Sequence, residues 1–500
     1  MNYIQKTPNC KQNQKKSSKL SNIVKNNNID ISCDSSSLVN REIGCQTSNY
    51  SHIYKKFLRK HIAQYALAVG NITDKPLEKR RLSKVLSKAE YKLKLKNDEK
   101  LKTINRTLCS CGRDMHFKNE NRIVDIKETD TARRLKGLKS CGNNSACPVC
   151  ASKLSFVRGN QLKELMTAGR NNGRSYMMIV TTISHKPLEP LETTLNQVID
   201  MSRYIHRHKE VRKFKKLTKC RFVHGGLENM VSFKNGLLDW HPHKNYLLDF
   251  DISINEVMEI LGLETELELR MYVSRLFTKI GQIYLDENGI KKTLLPPKYE
   301  PAERTVTTKD GKSRLKKIIV IKGGVSASLE FDSKYIAKWG LDAEMTASVH
   351  KDGRFNESFH PFVLLDFIDE KNKDITDKQK YQCIKAFEEF VLASKGKWWF
   401  YFGKGAVAFY NENYGTEIKV KKDKEELLTL EDNGDLIYSL SEEEWLDFQP
   451  TPKKIGYALS LLTRKDVLEY IYTEIENNRI KISEKYNCRI STYLNKRKKE

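Results

Sequence analysis

Five of the chain's 11 cysteines fall between residues 109 and 150, and this crowding constrains the fold more than any other feature of the 500 residues. The stretch "CSCGRDMHF" carries Cys109 and Cys111, and "SCGNNSACPVC" carries Cys141, Cys147 and Cys150. Cys-Pro-x-Cys makes a tight turn from which two thiolates reach one ion, with backbone N–H groups beside the sulfurs. A second cysteine pair about 30 residues away completes a tetrahedral Zn²⁺ site. The expected ligands are Cys111, Cys141, Cys147 and Cys150. Cys109 is the spare, because Cys-Gly is the usual knuckle turn, and His116 is a possible substitute. The competing reading is a redox dithiol, or cysteines that are simply buried.

Charge comes next. The 89 Lys and Arg against 63 Asp and Glu leave a formal +26, which favours a polyanionic partner and also fits an acidic membrane surface. No uncharged apolar run is long enough to cross a bilayer, so no membrane-spanning role is expected. The start, "MNYIQKTPNC", has no apolar stretch of the secretory kind. A cytoplasmic protein with reduced thiols is expected.

Residues 1–50 are rich in Asn, Lys and Ser and bury too little apolar area to offset ordering entropy, so this tail is expected to be disordered. Residues 51–150 combine a basic helical segment with the cysteine module. A helix is expected to start near Ala151 and stop at Gly169. It is followed by a buried strand in "SYMMIVTTIS" (175–184), a helix in "TTLNQVIDMSRYIHR", and strands at 225–233 and 243–252. Ser253 to Glu256 is a capping box that opens another helix. This order predicts an α+β fold with a mainly antiparallel sheet over 151–375, interrupted by a turn-rich insertion at 285–315. Residues 376–500 form a C-terminal region of mixed helix patterns and acidic stretches, suited to binding DNA or a host factor.

The stretch "DWHPHKNYLLDF" (239–250) carries candidate chemistry. In a strand His241, His243 and Asn245 share one face, and Pro242, which cannot donate to a ladder, puts the strand start at or just after itself. These side chains, with Glu228 on the preceding strand, suit a divalent ion. The bland alternative is a pair of histidines at a strand mouth with no metal. Further on, "FDSKYIAKWG" sets Tyr335 and Lys338 on one helix face. A tyrosine phenolate can attack a phosphodiester that a cation polarises. Read alone, Tyr335, like Trp339, is more readily a helix packing residue than a nucleophile.

Taken together and in order, "CPVC", "MMIVTTIS", "LEN", the Trp-preceded "HPH" strand and "KYIAKW" resemble the rolling-circle plasmid replication initiators, whose domain is an HUH (His-hydrophobic-His) endonuclease. "HPFVLLDF" and "LASKGKWWFYFGKGA" are similar to that family's downstream segments, so the resemblance covers about 105 to 406. It implies an antiparallel-sheet HUH domain that nicks one strand at the plasmid origin. The nucleophile would be Tyr335, assisted by Lys338, giving a 5′-phosphotyrosine and a free 3′-OH, and the displaced strand is rejoined later. The implied metal pair falls on His243 and Asn245, with His241 leading and Mg²⁺ or Mn²⁺ bound. Single-stranded and origin DNA, a host helicase and a polymerase would be the partners.

This sequence departs from the family pattern at Asn245, which replaces a histidine, and at Lys244, which replaces a hydrophobic residue. The resemblance also implies a glutamate four residues before the tyrosine, as the base that lets water end the cycle; that position is Phe331 here, flanked by Glu330 and Asp332, and a one-residue slip gives the role to Asp332. The alternative function is a zinc-containing DNA-binding descendant with weakened or lost catalysis.

Overall fold

The computed structural model describes residues 51–69, 87–115, 121–129, 132–234, 236–307, 313–329, 358–369, 372, 375–397, 400–416, 418 and 434–497. The N-terminal tail and the segment carrying Asp332, Tyr335 and Lys338 lie outside this set, as does His116.

In chain order the first elements are α1 (Ser51–Val69), α2 (Lys88–Ser110), β1 (Ile123–Thr129), β2 (Ala132–Lys136), α3 (Pro148–Asn171), β3 (Ser175–Thr182), α4 (Leu191–Arg207) and α5 (Lys209–Leu217). The middle holds β4 (Cys220–Lys234), β5 (Leu237–Phe250), α6 (Ile254–Leu261), α7 (Glu266–Glu287), β6 (Lys298–Thr307), β7 (Ser313–Lys322) and β8 (Val325–Ser328). Then come α8 (Leu364–Ile368), α9 (Asp377–Ser394), β9 (Phe400–Phe402), α10 (Ala406–Tyr414), β10 (Asp435–Ser441), α11 (Glu442–Phe448), α12 (Pro452–Ser460) and α13 (Arg464–Arg497). The fold is α+β with antiparallel sheets. Among the described residues no helix is long and apolar enough to cross a membrane.

The central sheet has the order β8-β3-β5-β4-β9, and every pairing in it is antiparallel. Its middle strands read as apolar runs because both faces are covered. Tyr246, Leu248 and Phe250 of β5, with Met177 and Ile179 of β3, meet Val198 and Met201 of α4 and Val273 and Phe277 of α7. On the other face Leu247, Tyr176 and Met178 meet Leu162 and Leu165 of α3 and Val407 and Tyr410 of α10. Each such buried side chain contributes roughly 1.5–3 kcal/mol, so the alternation of the strands fixes their register strongly.

Two sequence expectations are corrected. The helix expected from Ala151 begins at Pro148, because Cys147 is its N-cap and proline suits a first turn whose N–H would go unpaired. The strand expected to begin at Pro242 begins at Leu237, straight after the turn at Gly236, so the proline is internal. Thr182 Oγ1 donates to the Pro242 carbonyl at 3.3 Å, so this residue's backbone faces the β3 side of the strand. There β3 ends, its last pair being Thr182 with His243. The missing N–H therefore costs no ladder bond.

The span 285–315, expected as an insertion, covers the end of α7 and most of a two-stranded β6–β7 ribbon paired from Lys298–Lys322 to Thr307–Ser313. Residues beyond 376 feed both larger sheets. β9 pairs with β4, and β10 pairs with β1 in a second sheet of order β10-β1-β2. The largest apolar cluster joins α1, α2, α9, α12 and α13 to the far end of β4 and β5, at Phe233 and Trp240.

Candidate metal centres

The cysteine cluster forms where three segments meet. Cys111 caps α2, and its N–H is bonded to the Thr107 carbonyl. Cys141 stands on the loop that follows. Asn143 Oδ1 accepts the N–H groups of Ser145 (3.1 Å) and Ala146 (3.0 Å), tightening the turn that delivers Cys147 and Cys150. Cys147 Sγ accepts the N–H of Cys150 at 3.5 Å. The sulfurs of Cys111 and Cys147 lie 3.8 Å apart, those of Cys111 and Cys150 3.4 Å, and those of Cys141 and Cys150 3.6 Å. Four thiolates at ~2.3 Å from one tetrahedral ion would stand ~3.8 Å from each other, so the donor set fits a metal without rearrangement.

Cys109 lies outside the group, its sulfur near Asn105 Oδ1 at 3.7 Å. The ammonium of Lys60, itself buried, donates to the Cys111 carbonyl. Hydrogen bonds from Cys141, Cys147 and Cys150, with help from Lys60, hold the Cys111 thiol well below its ordinary range.

The second centre is on the β5 face that also carries Leu247. Asp239, His241, His243 and Asn245 alternate along it, opposite Ser232, Met230, Glu228 and Gly226 of β4. One set converges tightly: Asp239, His241 and His185, which lies three residues past the end of β3. His185 Nδ1 is 2.7 Å from Asp239 Oδ1, and His241 Nε2 is 3.4 Å from Oδ2. The two imidazole rings meet edge to face at 4.0 Å. Ser232 Oγ touches His241 Nε2 at 3.0 Å, and Lys234 Nζ reaches Asp239 Oδ2 at 2.6 Å.

Burial raises the Asp239 carboxyl, but the Lys234 ammonium and the two imidazoles outweigh it and hold the group below its ordinary range. Burial first, then the neighbouring His185 ring, holds His241 down at about 4 against the pull of Asp239. The same two causes hold His243 at about 4. An ionised Asp239 carboxylate beside the neutral His241 and His243 imidazoles suits a divalent ion.

Further along the face, Asn245 Nδ2 donates to Glu228 Oε2 at 3.4 Å, while Asn245 Oδ1 is buried with no hydrogen-bond partner. Burial raises the Glu228 carboxyl, and the Asn245 bond pulls it partly back. The orphan amide oxygen, Glu228 and His243 are oxygen and nitrogen donors of the kind Mg²⁺ and Mn²⁺ accept.

On the opposite face Trp240 locks this end of the strand. Its Nε1 donates to Glu389 Oε2 at 3.1 Å, and its ring stacks on Phe390. Glu389 Oε1 also accepts the N–H of Leu191, tying α9 to α4 and β5.

Sequence reasoning thus named His241, His243, Asn245 and Glu228, which the fold brings to one face. It passed over Asp239 and His185, which complete the tightest group. Asp239 was detectable as the residue two before His241 once the strand is extended past the proline. Tyr335, Lys338 and Asp332 lie outside the described residues. Compared with family models, with characterised proteins and with solved structures, the chain matches none.

Proposed function

We propose that the chain is a metal-dependent DNA nicking and joining enzyme of the rolling-circle initiator kind, acting at a plasmid origin. The observation that carries the proposal is the polar face of β5, where Asp239, His241 and His185 converge within 4.8 Å of one another in a chain of net charge +26. An antiparallel sheet supporting a histidine strand is the architecture the sequence resemblance implies. On this reading residues 151–375 are the nicking domain, preceded by a basic segment and a Zn²⁺ module on Cys111, Cys141, Cys147 and Cys150.

Mg²⁺ or Mn²⁺ bound on the β5 face would supply Lewis-acid polarisation of a phosphodiester. His241 and His185 would hold it as neutral imidazoles and Asp239 as a carboxylate. His243, Asn245 and Glu228 would bind it or orient the phosphate beside it. Tyr335 would form the oxygen–phosphorus bond, the bond to the 3′ oxygen would break, and the phenol's proton would pass by way of solvent to that oxygen, which leaves as a free 3′-OH. Lys338 would offset the developing charge, and Asp332 would act as the base for the water that ends the cycle. The phosphotyrosine keeps the bond energy, so rejoining needs no nucleotide. A helicase and polymerase would use the exposed 3′ end.

The test is a 3′-labelled single-stranded origin oligonucleotide with Mn²⁺, resolved on a denaturing gel. The wild-type chain should give a protein-linked product, and Tyr335→Phe and Asp239→Ala should lose it. A product that persists in Tyr335→Phe overturns the assignment. The Lys234–Asp239 ion pair, which sets an ammonium where a cation would bind, favours a second reading, DNA binding without cleavage; binding with no nick in any metal would select it.

A further inference from the structure

Far from the histidine face, at the other end of β4 and β5, a cleft of about 480 Å³ opens between α5, the start of β4 and the turn into α10. Lys215 and Lys216 from α5, Lys219 from the connecting residue pair, Arg221 from β4 and Lys404 from the turn before α10 all line it. Asp251 is the one carboxylate lining it among the described residues, and Arg174 Nη1 already engages that group. The net field in the cleft is therefore strongly positive. Nine residues of extended strand separate His241 from Phe250, or ~30 Å at ~3.3 Å per residue, so the cleft cannot share a phosphate with the histidine face.

Ordinary structure accounts for part of this charge and leaves the rest. Lys215 and Lys216 sit in the last turn of α5, where cations complement the helix dipole. That argument does not extend to Lys219, Arg221 or Lys404, which arrive from other segments. Lys219 has φ +47°, the left-handed region that normally follows a helix end as glycine. A lysine stands where glycine would be less strained. Arg221 is held in place with its guanidinium 3.6 Å from the Phe409 ring centroid and 3.8 Å from the buried Asp249 carboxylate, which offsets part of its charge. Lys216, Lys219 and Lys404 are exposed and make no close ion pair among the described residues, though the Lys219 ammonium helps to hold the nearby Glu256 carboxyl down. Gly405, the N-cap of α10, brings no side chain to the cleft, and the Ala406 N–H beside it is donated to the Gly403 carbonyl at 3.0 Å.

We propose that this cleft binds backbone phosphates of DNA at a position remote from the nicking chemistry, anchoring the segment that flanks the cleaved site. The proposal rests on the reading of DNA as the substrate. Concave and lined from three segments, the cleft suits a strand's phosphates better than a flat anionic surface.

Fluorescence anisotropy with a labelled oligonucleotide, measured across a salt series in the full chain, tests it. Lys216→Ala with Lys404→Ala should weaken binding about tenfold at moderate salt and lower the slope of log affinity against log salt by about one per lysine, with any oligonucleotide sequence. Lys219→Gly should weaken DNA binding while leaving the melting temperature equal or higher, since it removes charge and backbone strain together. That opposition separates a phosphate contact from a folding defect. Unchanged affinity and slope in these variants would overturn the proposal even if the wild-type chain nicks. Weakened binding in a chain that never nicks would uphold it while the catalytic reading fails. Micromolar binding of pyrophosphate at the cleft, lost in the same variants while DNA binding is untouched, would instead make it a small-anion site.

Discussion

At the residue scale, Asp239 ties the histidine site together. Its side chain is fully buried, and Lys234, His185 and His241 all touch it. The Lys234 side chain is 56 % exposed, so it can swing into water when a divalent ion arrives. It then acts as a competitor, and Lys234→Ala should raise Mn²⁺ affinity about two- to fivefold, the range of a partly exposed ion pair. Calorimetric titration with Mn²⁺ checks this, and weaker binding in the variant would mean that the lysine helps to hold the metal. The cysteines were legible from sequence because their spacing is local and the chemistry of the turn repeats. Asp239 was hidden by one misjudged proline, whose effect depends on which side of the strand has a neighbour. His185 gives no sequence signal at all: it follows a strand end, and only the pairing of β3 with β5 brings it to Asp239.

At the scale of elements, close backbone approaches fix how the strands assemble. Gly225 in β4 lies under the ring of Tyr401 from β9, and an added Cβ would come within 2.4 Å of that ring. Gly225→Ala should destabilise the fold by about 1–3 kcal/mol through overpacking, and Tyr401→Ala in the same chain should relieve part of that loss. Urea unfolding of the two single variants and the double variant measures the coupling; simple additivity would refute the contact. The apolar β-type runs at 175–182 and 243–250 were readable because both faces of the sheet are packed. The three-residue β9 was not, since a strand so short gains its identity from its neighbour.

For the whole molecule, several buried histidines remote from the metal centres link stability to pH. Burial holds His224 and His360 down at about 3, and it holds His206 well below its ordinary value. In the unfolded chain these imidazoles take a proton near pH 6.5. Their neutral forms are therefore fully compatible with the fold above that pH. As pH falls below 6.5 the unfolded state gains protons that the folded state refuses, costing about 1.4 kcal/mol per histidine per pH unit until the folded value is reached. Melting temperature should thus fall steadily from pH 6.5 to 4, and a flat profile in that window would contradict the buried-neutral assignment. The α+β class was visible in the order of strand and helix patterns. The return of the last hundred residues to both sheets was not, because long-range pairing leaves no local trace.

That return has a genetic consequence. A ribosome that stops near codon 375 would release a polypeptide whose β1 and β4 each lack a hydrogen-bonding companion, supplied in the intact chain by β10 and β9. Naked strand margins invite copies to zip together. Nonsense mutations between codons 375 and 400 should therefore behave as insoluble nulls, however far they fall from the histidines.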